Sequence, residues 1–129
     1  MMDADVFLRN PDTLNLMISK NKIVVAPLLK SDGMYSNFWA GMTENYYYKR
    51  TDEYLPILNR ENITGCFSVP MVHSAVLIDL RKEASDLLTY ESENCPSYNG
   101  PRDDIITFAL CANFSSRQSY FLYMKFNYL

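Results

Sequence analysis

Glycine is scarce in this chain: four in 129 residues, standing far apart. Neither a P-loop nor a G-x-G-x-x-G dinucleotide fingerprint can be assembled from them, so the phosphate-cradling ATPase and dehydrogenase classes drop out. Positive charge is in short supply as well. Twelve Lys and Arg stand against 15 Asp and Glu, a net charge of -3 with no basic stripe, and phosphate-backbone binding has no electrostatic footprint. No nucleic-acid partner is expected. Long apolar runs are missing: residues 23–29 and 75–78 are far short of the ~20 needed to cross a bilayer, and no membrane span is expected. Met1-Met2 leads at once into Asp3-Ala4-Asp5, without the charged and apolar regions of a signal peptide. No G-x-S-x-G elbow accompanies the single histidine, His73, which leaves Ser-His-Asp catalysis unsupported.

Cysteine is sparse too. Cys66, Cys95 and Cys111 match no short zinc or redox motif. They are expected as buried or unpaired thiols, with one disulfide and a spare thiol as the alternative. Two sequons, Asn62-Ile63-Thr64 and Asn113-Phe114-Ser115, matter only if the chain enters the secretory pathway.

What is present is the composition of one compact domain, 48% hydrophobic and 21% charged, long enough to bury roughly two-thirds of its unfolded surface. Asn10-Pro11, as N-cap and first helical position, followed by Leu14, Met17 and Ile18, predicts a helix over residues 11–20 with Asn21 as its C-cap. Residues 22–29 form a β-branched run that reads as a buried strand. Residues 38–42 read as a second strand, and 43–63 as a short helix plus loop. A strand is expected over 65–69, stopped by Pro70, and another over 74–80 that leads into a helix over 81–88. Residues 91–101 have loop composition. Asp103-Asp104 then open a helix carrying Ile105, Phe108, Ala109 and Ala112, and 120–124 form a last strand. The alternation indicates an α/β layered sheet without internal repeats.

Three groups of residues could carry chemistry. Asp3 and Asp5, one residue apart before a polar loop, place two hard oxygen donors at one point, a pair able to hold Mg²⁺ or Mn²⁺ against a diphosphate; a solvated turn is the ordinary alternative. Asp103 and Asp104 either complement the helix dipole or supply a general base for inverting displacement at a sugar carbon. His73 is either a hydrogen-bonded strand-end residue or a metal or phosphate contact. Trp39, with Phe38 and the run Tyr46-Tyr47-Tyr48, offers flat faces for a sugar or base, or simply core.

The strings Asp3-Ala4-Asp5-Val6-Phe7-Leu8, Asn10-Pro11-Asp12-Thr13-Leu14, Val25-Ala26-Pro27-Leu28-Leu29, Tyr35-Ser36-Asn37-Phe38-Trp39, Tyr48-Lys49-Arg50-Thr51, Gly65-Cys66-Phe67, Val69-Pro70-Met71-Val72-His73-Ser74, Leu77-Ile78-Asp79-Leu80-Arg81 and Asp103-Asp104-Ile105-Ile106, in this order, resemble the procollagen galactosyltransferases and their relative, the cerebral endothelial cell adhesion molecule. More distantly the chain is similar to the glycosyltransferase-type domains of multifunctional lysyl hydroxylases. The resemblance covers nearly the whole chain. It implies an α/β fold, the C-terminal part of a GT-A-like nucleotide-sugar transferase domain with a mixed sheet flanked by helices. Residues 1–129 are then a partial domain that starts at the acid-x-acid motif, with the upstream nucleotide-binding half missing. The implied activity is transfer of galactose from UDP-galactose to hydroxylysine of collagen in the endoplasmic reticulum lumen.

By the same resemblance Asp3 and Asp5 match the motif that binds Mn²⁺ and the UDP diphosphate, Asp103 and Asp104 the acids expected on the acceptor side, and residues 70–74 the strand end lining the site, with His73 and Trp39 as further donor contacts. Two departures stand out. Residues 91–102 differ from the aromatic and proline-rich stretch of relatives, and Lys125 replaces a late histidine that often completes a metal site. The fragment is therefore expected to be inactive alone, and a non-catalytic accessory or cell-adhesion domain is the alternative. An uncovered sheet edge and apolar face make self-association an expectation.

Overall fold

A computed structural model describes residues 1–31, 33, 35–59, 65–116 and 120–124. The β-branched run predicted as a buried strand forms β1 (Val24–Pro27), whose Val24, Val25 and Ala26 are all buried. It lies inside a four-stranded sheet of order β5-β8-β1-β7, where β5 is Gly65–Val69, β7 is Leu77–Ile78 and β8 is Tyr120–Met124. The sheet is mixed: β8 runs parallel to β1 and antiparallel to β5, and β7 is antiparallel to β1. A strand with neighbours on both sides and layers on both faces needs apolar residues at every position, which explains the unbroken run.

Successive residues of β1 serve opposite faces. Val25 packs with Met17 of α1 (Thr13–Ile18), together with Cys66 and Leu77. Val24 and Ala26 join the larger core with Phe38, Met71, Val72 and Val76, and with Ile106, Phe108, Ala109 and Leu110 of α3 (Asp104–Ser116). One helix therefore covers each face of the sheet, the mixed α/β layering expected.

Local boundaries differ from expectation in several places. The first helix begins at Thr13 because Asn10 Oδ1 accepts from Asp12 N at 2.8 Å and Asn10 O from Thr13 N at 3.1 Å, so Asn10-Pro11 make a turn before the helix rather than its cap. The helix ends at Ile18 with Ser19 as its C-cap, so Asn21 is not the cap, although it takes the left-handed conformation, φ 51°, two residues further on. The strand expected over 38–42 breaks at Ala40 into β2 (Phe38–Trp39), paired with β6 (Met71–Val72), and β3 (Gly41–Met42), paired with β4 (Tyr48–Lys49). Gly41 permits the second pairing, since a Cβ there would fall 2.7 Å from Thr51 Cγ2 and 2.9 Å from Lys49 O. In the harder stretch α2 spans Tyr54–Leu58. The helix expected over 81–88 is a 3₁₀ helix, Glu83–Leu87, and a second short one, Ser92–Asn94, interrupts the loop that follows. Extended backbone at Lys82 and Leu88 limits the first to tight i to i+3 bonds.

Candidate active site

The strand end after β6 is set by a buried amide. Asn37, fully buried, donates from Nδ2 to Pro27 O at 2.9 Å and to His73 O at 3.3 Å, and its Oδ1 accepts from Leu29 N at 3.0 Å. Its own carbonyl accepts from His73 N at 2.9 Å. One side chain thus ties the ends of β1 and β6, and each buried polar group it satisfies would otherwise cost free energy. The next residue, Ser74, is buried with φ 65°, a backbone region that disfavours residues with a Cβ and tends to mark functional positions.

The Ser74 hydroxyl, the His73 ring and the Tyr35 phenol form one hydrogen-bonded group. His73 Nδ1 lies 3.0 Å from Ser74 Oγ and 3.2 Å from Tyr35 Oη, the two oxygens share a short hydrogen bond, and Tyr35 meets the imidazole edge-on at 5.7 Å between ring centres. Burial pushes the His73 pKa below its ordinary 6.5, with Asp3 pulling the other way. His73 is a neutral imidazole at pH 7, held by its neighbours.

Asp3 reaches this point because the first residues add to the strand end. Met1 N donates to Val76 O and Val76 N to Met1 O, both at 2.9 Å, Met2 bridges Ala75, and Asp3 N donates to Ser74 O at 2.8 Å. A turn follows, closed by Val6 N donating to Asp3 O at 3.2 Å, with Asp3 and Asp5 both exposed. Among the described residues neither carboxylate takes part in a hydrogen bond or ion pair.

At the start of α3 the acids are employed differently. Asp103 is the N-cap: its Oδ1 accepts from Ile106 N at 2.9 Å and its carbonyl from Thr107 N at 2.8 Å. Asp104 Oδ1 accepts from Ile105 N at 2.8 Å. Each retains a second carboxylate oxygen toward solvent. Both line an open cleft of about 290 Å³ with Tyr90, Glu93, Arg102 and Thr107.

Tyr90 joins the two acidic groups. Its ring stacks on Phe108 of α3, with centres 4.4 Å apart and planes 9° from parallel, and its hydroxyl donates to Met1 Sδ at 2.8 Å. Burial, then Asp104, then Asp3 push the phenol pKa up to about 12, so Tyr90 is a neutral donor.

Of the residues singled out in the sequence, Asp3 lies beside His73, its N–H bonded to Ser74 O, with Asp5 in the adjoining turn, while Asp103 and Asp104 line the cleft with Tyr90, whose hydroxyl reaches Met1. Trp39, on β2 and paired with Met71 of β6, is edge-on to Tyr48 at 5.8 Å and partly packed against the core. Tyr35, Asn37 and Tyr90 carry the geometry and were not singled out as site residues. Tyr35 and Asn37 lie in the string that ends in Trp39; nothing local distinguishes Tyr90.

Asp3 and Asp5 have the donor chemistry of a Mg²⁺ or Mn²⁺ site, since such cations take hard oxygens and keep several waters. Among the described residues no three His, Cys, Asp or Glu side chains gather as a metal cluster. A cation held by Asp3 and Asp5 would need its remaining positions filled by phosphate oxygens and water. Lys125 lies outside the described residues.

Comparison with known proteins defines the class: the profile of glycosyltransferase family 25, N-terminal domain, matches residues 1–129, and the chain belongs to this family. It is 56% identical over 118 residues to procollagen galactosyltransferase 2 of Homo sapiens, covering 92% of this chain and 18% of that protein. It is 56% identical over 118 residues to procollagen galactosyltransferase 1-A of Xenopus laevis, with the same shares. A glycosyltransferase 25 family member of Aedes aegypti is 54% identical over 121 residues, 92% of this chain and 20% of its own length. The chain thus spans about a fifth of the length of these relatives.

Proposed function

We propose that this chain is part of a GT-A-like collagen β-galactosyltransferase domain that works in the endoplasmic reticulum lumen. There it transfers galactose from UDP-galactose to the hydroxyl of a collagen hydroxylysine. Residues 1–129 are the acceptor-side portion, with the nucleotide-binding strands supplied upstream, so the fragment alone is inactive and has a tendency to associate through an edge of its sheet. The reading rests chiefly on one observation: Tyr90 touches both Met1, two residues before Asp3, and Phe108 of α3, one turn after Asp104.

In this reading Asp3 and Asp5 would hold Mn²⁺ together with the diphosphate. When bound, the cation offsets the charge that builds on the departing nucleotide. Asp103 or Asp104 uses its solvent-facing oxygen to accept the proton of the attacking hydroxyl, which then displaces the nucleotide from the opposite face of the sugar carbon. Neutral His73, fixed by Ser74 and Tyr35, borders the donor side. The cleft also suits the acceptor. Glu91, Glu93, Asp103 and Asp104 outnumber Arg102 along its walls, and such an excess of negative charge favours the ammonium group that a hydroxylysine carries.

The test is Mn²⁺-dependent UDP binding by calorimetry on the chain lengthened upstream. Binding that is lost on Asp3→Asn with Asp5→Asn supports the proposal. Absence of binding in the lengthened wild type would favour the accessory or adhesion alternative.

A further inference from the structure

We propose that Cys95 and Cys111 close into an intramolecular disulfide under oxidising conditions, leaving Cys66 as the free thiol. The inference does not depend on the reaction proposed above. Cys95 and Cys111 are both buried, 4% and 0% exposed, whereas Cys66 is partly exposed and packs with Met17 and Val25 on the α1 face of the sheet. The chain leading to Cys95 is fastened along the face of α3 that carries Cys111. The Cys111 thiol donates to Leu87 O at 3.1 Å, and one turn earlier on the helix Phe108 receives the Tyr90 ring. The backbone then turns back through the second 3₁₀ helix, where Cys95 N donates to Ser92 O at 3.3 Å. This brings the Cys95 thiol into hydrogen-bonding contact with Cys111, and burial together with that contact pushes its pKa up to about 12.

The chemistry is a pair of thiol–disulfide exchanges with a small-molecule disulfide such as oxidised glutathione. One cysteine thiolate attacks a sulfur of the small disulfide, forming a mixed disulfide and releasing one small thiol. The second cysteine thiolate attacks the protein sulfur of that mixed disulfide, closing the bridge and releasing the other small thiol. The protein loses two protons and two electrons; the small disulfide gains both. Burial and a scarce thiolate make this slow in the folded state, so closure accompanies folding.

Tryptic cleavage after Lys82 and Arg102 separates the three cysteines, which makes the pairing readable. The reduced, unfolded chain is refolded in reduced and oxidised glutathione, its free thiols are blocked with N-ethylmaleimide, and the unreduced digest is analysed by mass spectrometry. The expected result is one linked peptide pair holding Cys95 and Cys111, with the maleimide on Cys66 alone. Cys66→Ser is expected to keep the link, and reductant to lower the melting temperature of the wild type but not of Cys95→Ser. A bridge that includes Cys66, or three blocked thiols per chain, would overturn the proposal.

Discussion

The two acidic pairs differ in what the fold already asks of them. Asp103 and Asp104 each give one carboxylate oxygen to a backbone N–H at the start of α3, so they would be acids, amides or serines in any well-capped helix. Asp3 and Asp5 sit in an exposed turn closed by Val6 N donating to Asp3 O. A capping carboxylate has a structural reason to be where it is, whereas an exposed carboxylate in a turn is either solvated or employed in chemistry. The same residue type therefore points more firmly to function at the opening pair than at the late one, and substitutions that separate capping from chemistry can test the difference.

The largest effect is expected on transfer. In the chain lengthened to the extent of its relatives, replacing whichever of Asp103 and Asp104 takes the proton by Asn should lower galactosyl transfer about 10²–10⁴-fold, the range for loss of a general base, with UDP binding kept. Asp3→Asn with Asp5→Asn should instead abolish Mn²⁺-dependent UDP binding and leave the melting curve nearly unchanged, as expected for exposed positions. If both acidic pairs can be neutralised without a change in transfer rate, the proposed roles fail.

Next in size is the scaffold behind the site. Asn37→Ala would leave Leu29 N and the carbonyls of Pro27 and His73 without their partner, and chemical denaturation should show a loss of about 3 kcal/mol. Smaller again is the cap. Asp103→Ala should destabilise by about 1 kcal/mol, whereas Asp103→Asn, equally good as an N-cap, should cost almost nothing. A large loss on Asp103→Asn would mean that the charge, and not the cap, holds this end of the helix.

The smallest effect concerns pH. The His73 pKa is lower in the folded protein than the ordinary 6.5, so the unfolded chain binds its proton first as pH falls. Its contribution to stability is complete above about pH 6.5 and shrinks below it. Thermal melts of wild type and His73→Gln should converge as pH is lowered through this range; parallel curves would contradict the burial that depresses the imidazole.

Much of the architecture was legible because it is written locally. The unbroken Val24-Val25-Ala26 run announces a strand buried on both faces, and Ile105, Phe108, Ala109 and Ala112 announce a helix against the core; the stripe does not show that residues 106–112 are all buried, so that α3 is enclosed rather than one-faced. The break at Ala40 was not legible, because it arises where two different partner strands claim neighbouring residues. The same holds for the candidate site. The acids could be named from their spacing, but their meeting depends on Met1, Met2 and Asp3 pairing with residues more than seventy positions away, and on Tyr90, which looks like any loop aromatic until Phe108 lies under it. Pairing between distant segments leaves no periodic trace in either.

The central claim is that the opening acids and the late helix start share Tyr90. It is tested most directly by titrating that phenol, with ¹³C-labelled tyrosine and NMR, in the wild type, Asp3→Asn and Asp104→Asn. Each substitution removes one negative neighbour, and each is predicted to bring the Tyr90 pKa down from about 12, with the double variant lower still. A Tyr90 that responds to Asp104 but is indifferent to Asp3 would place the two acidic groups in separate environments and contradict the account.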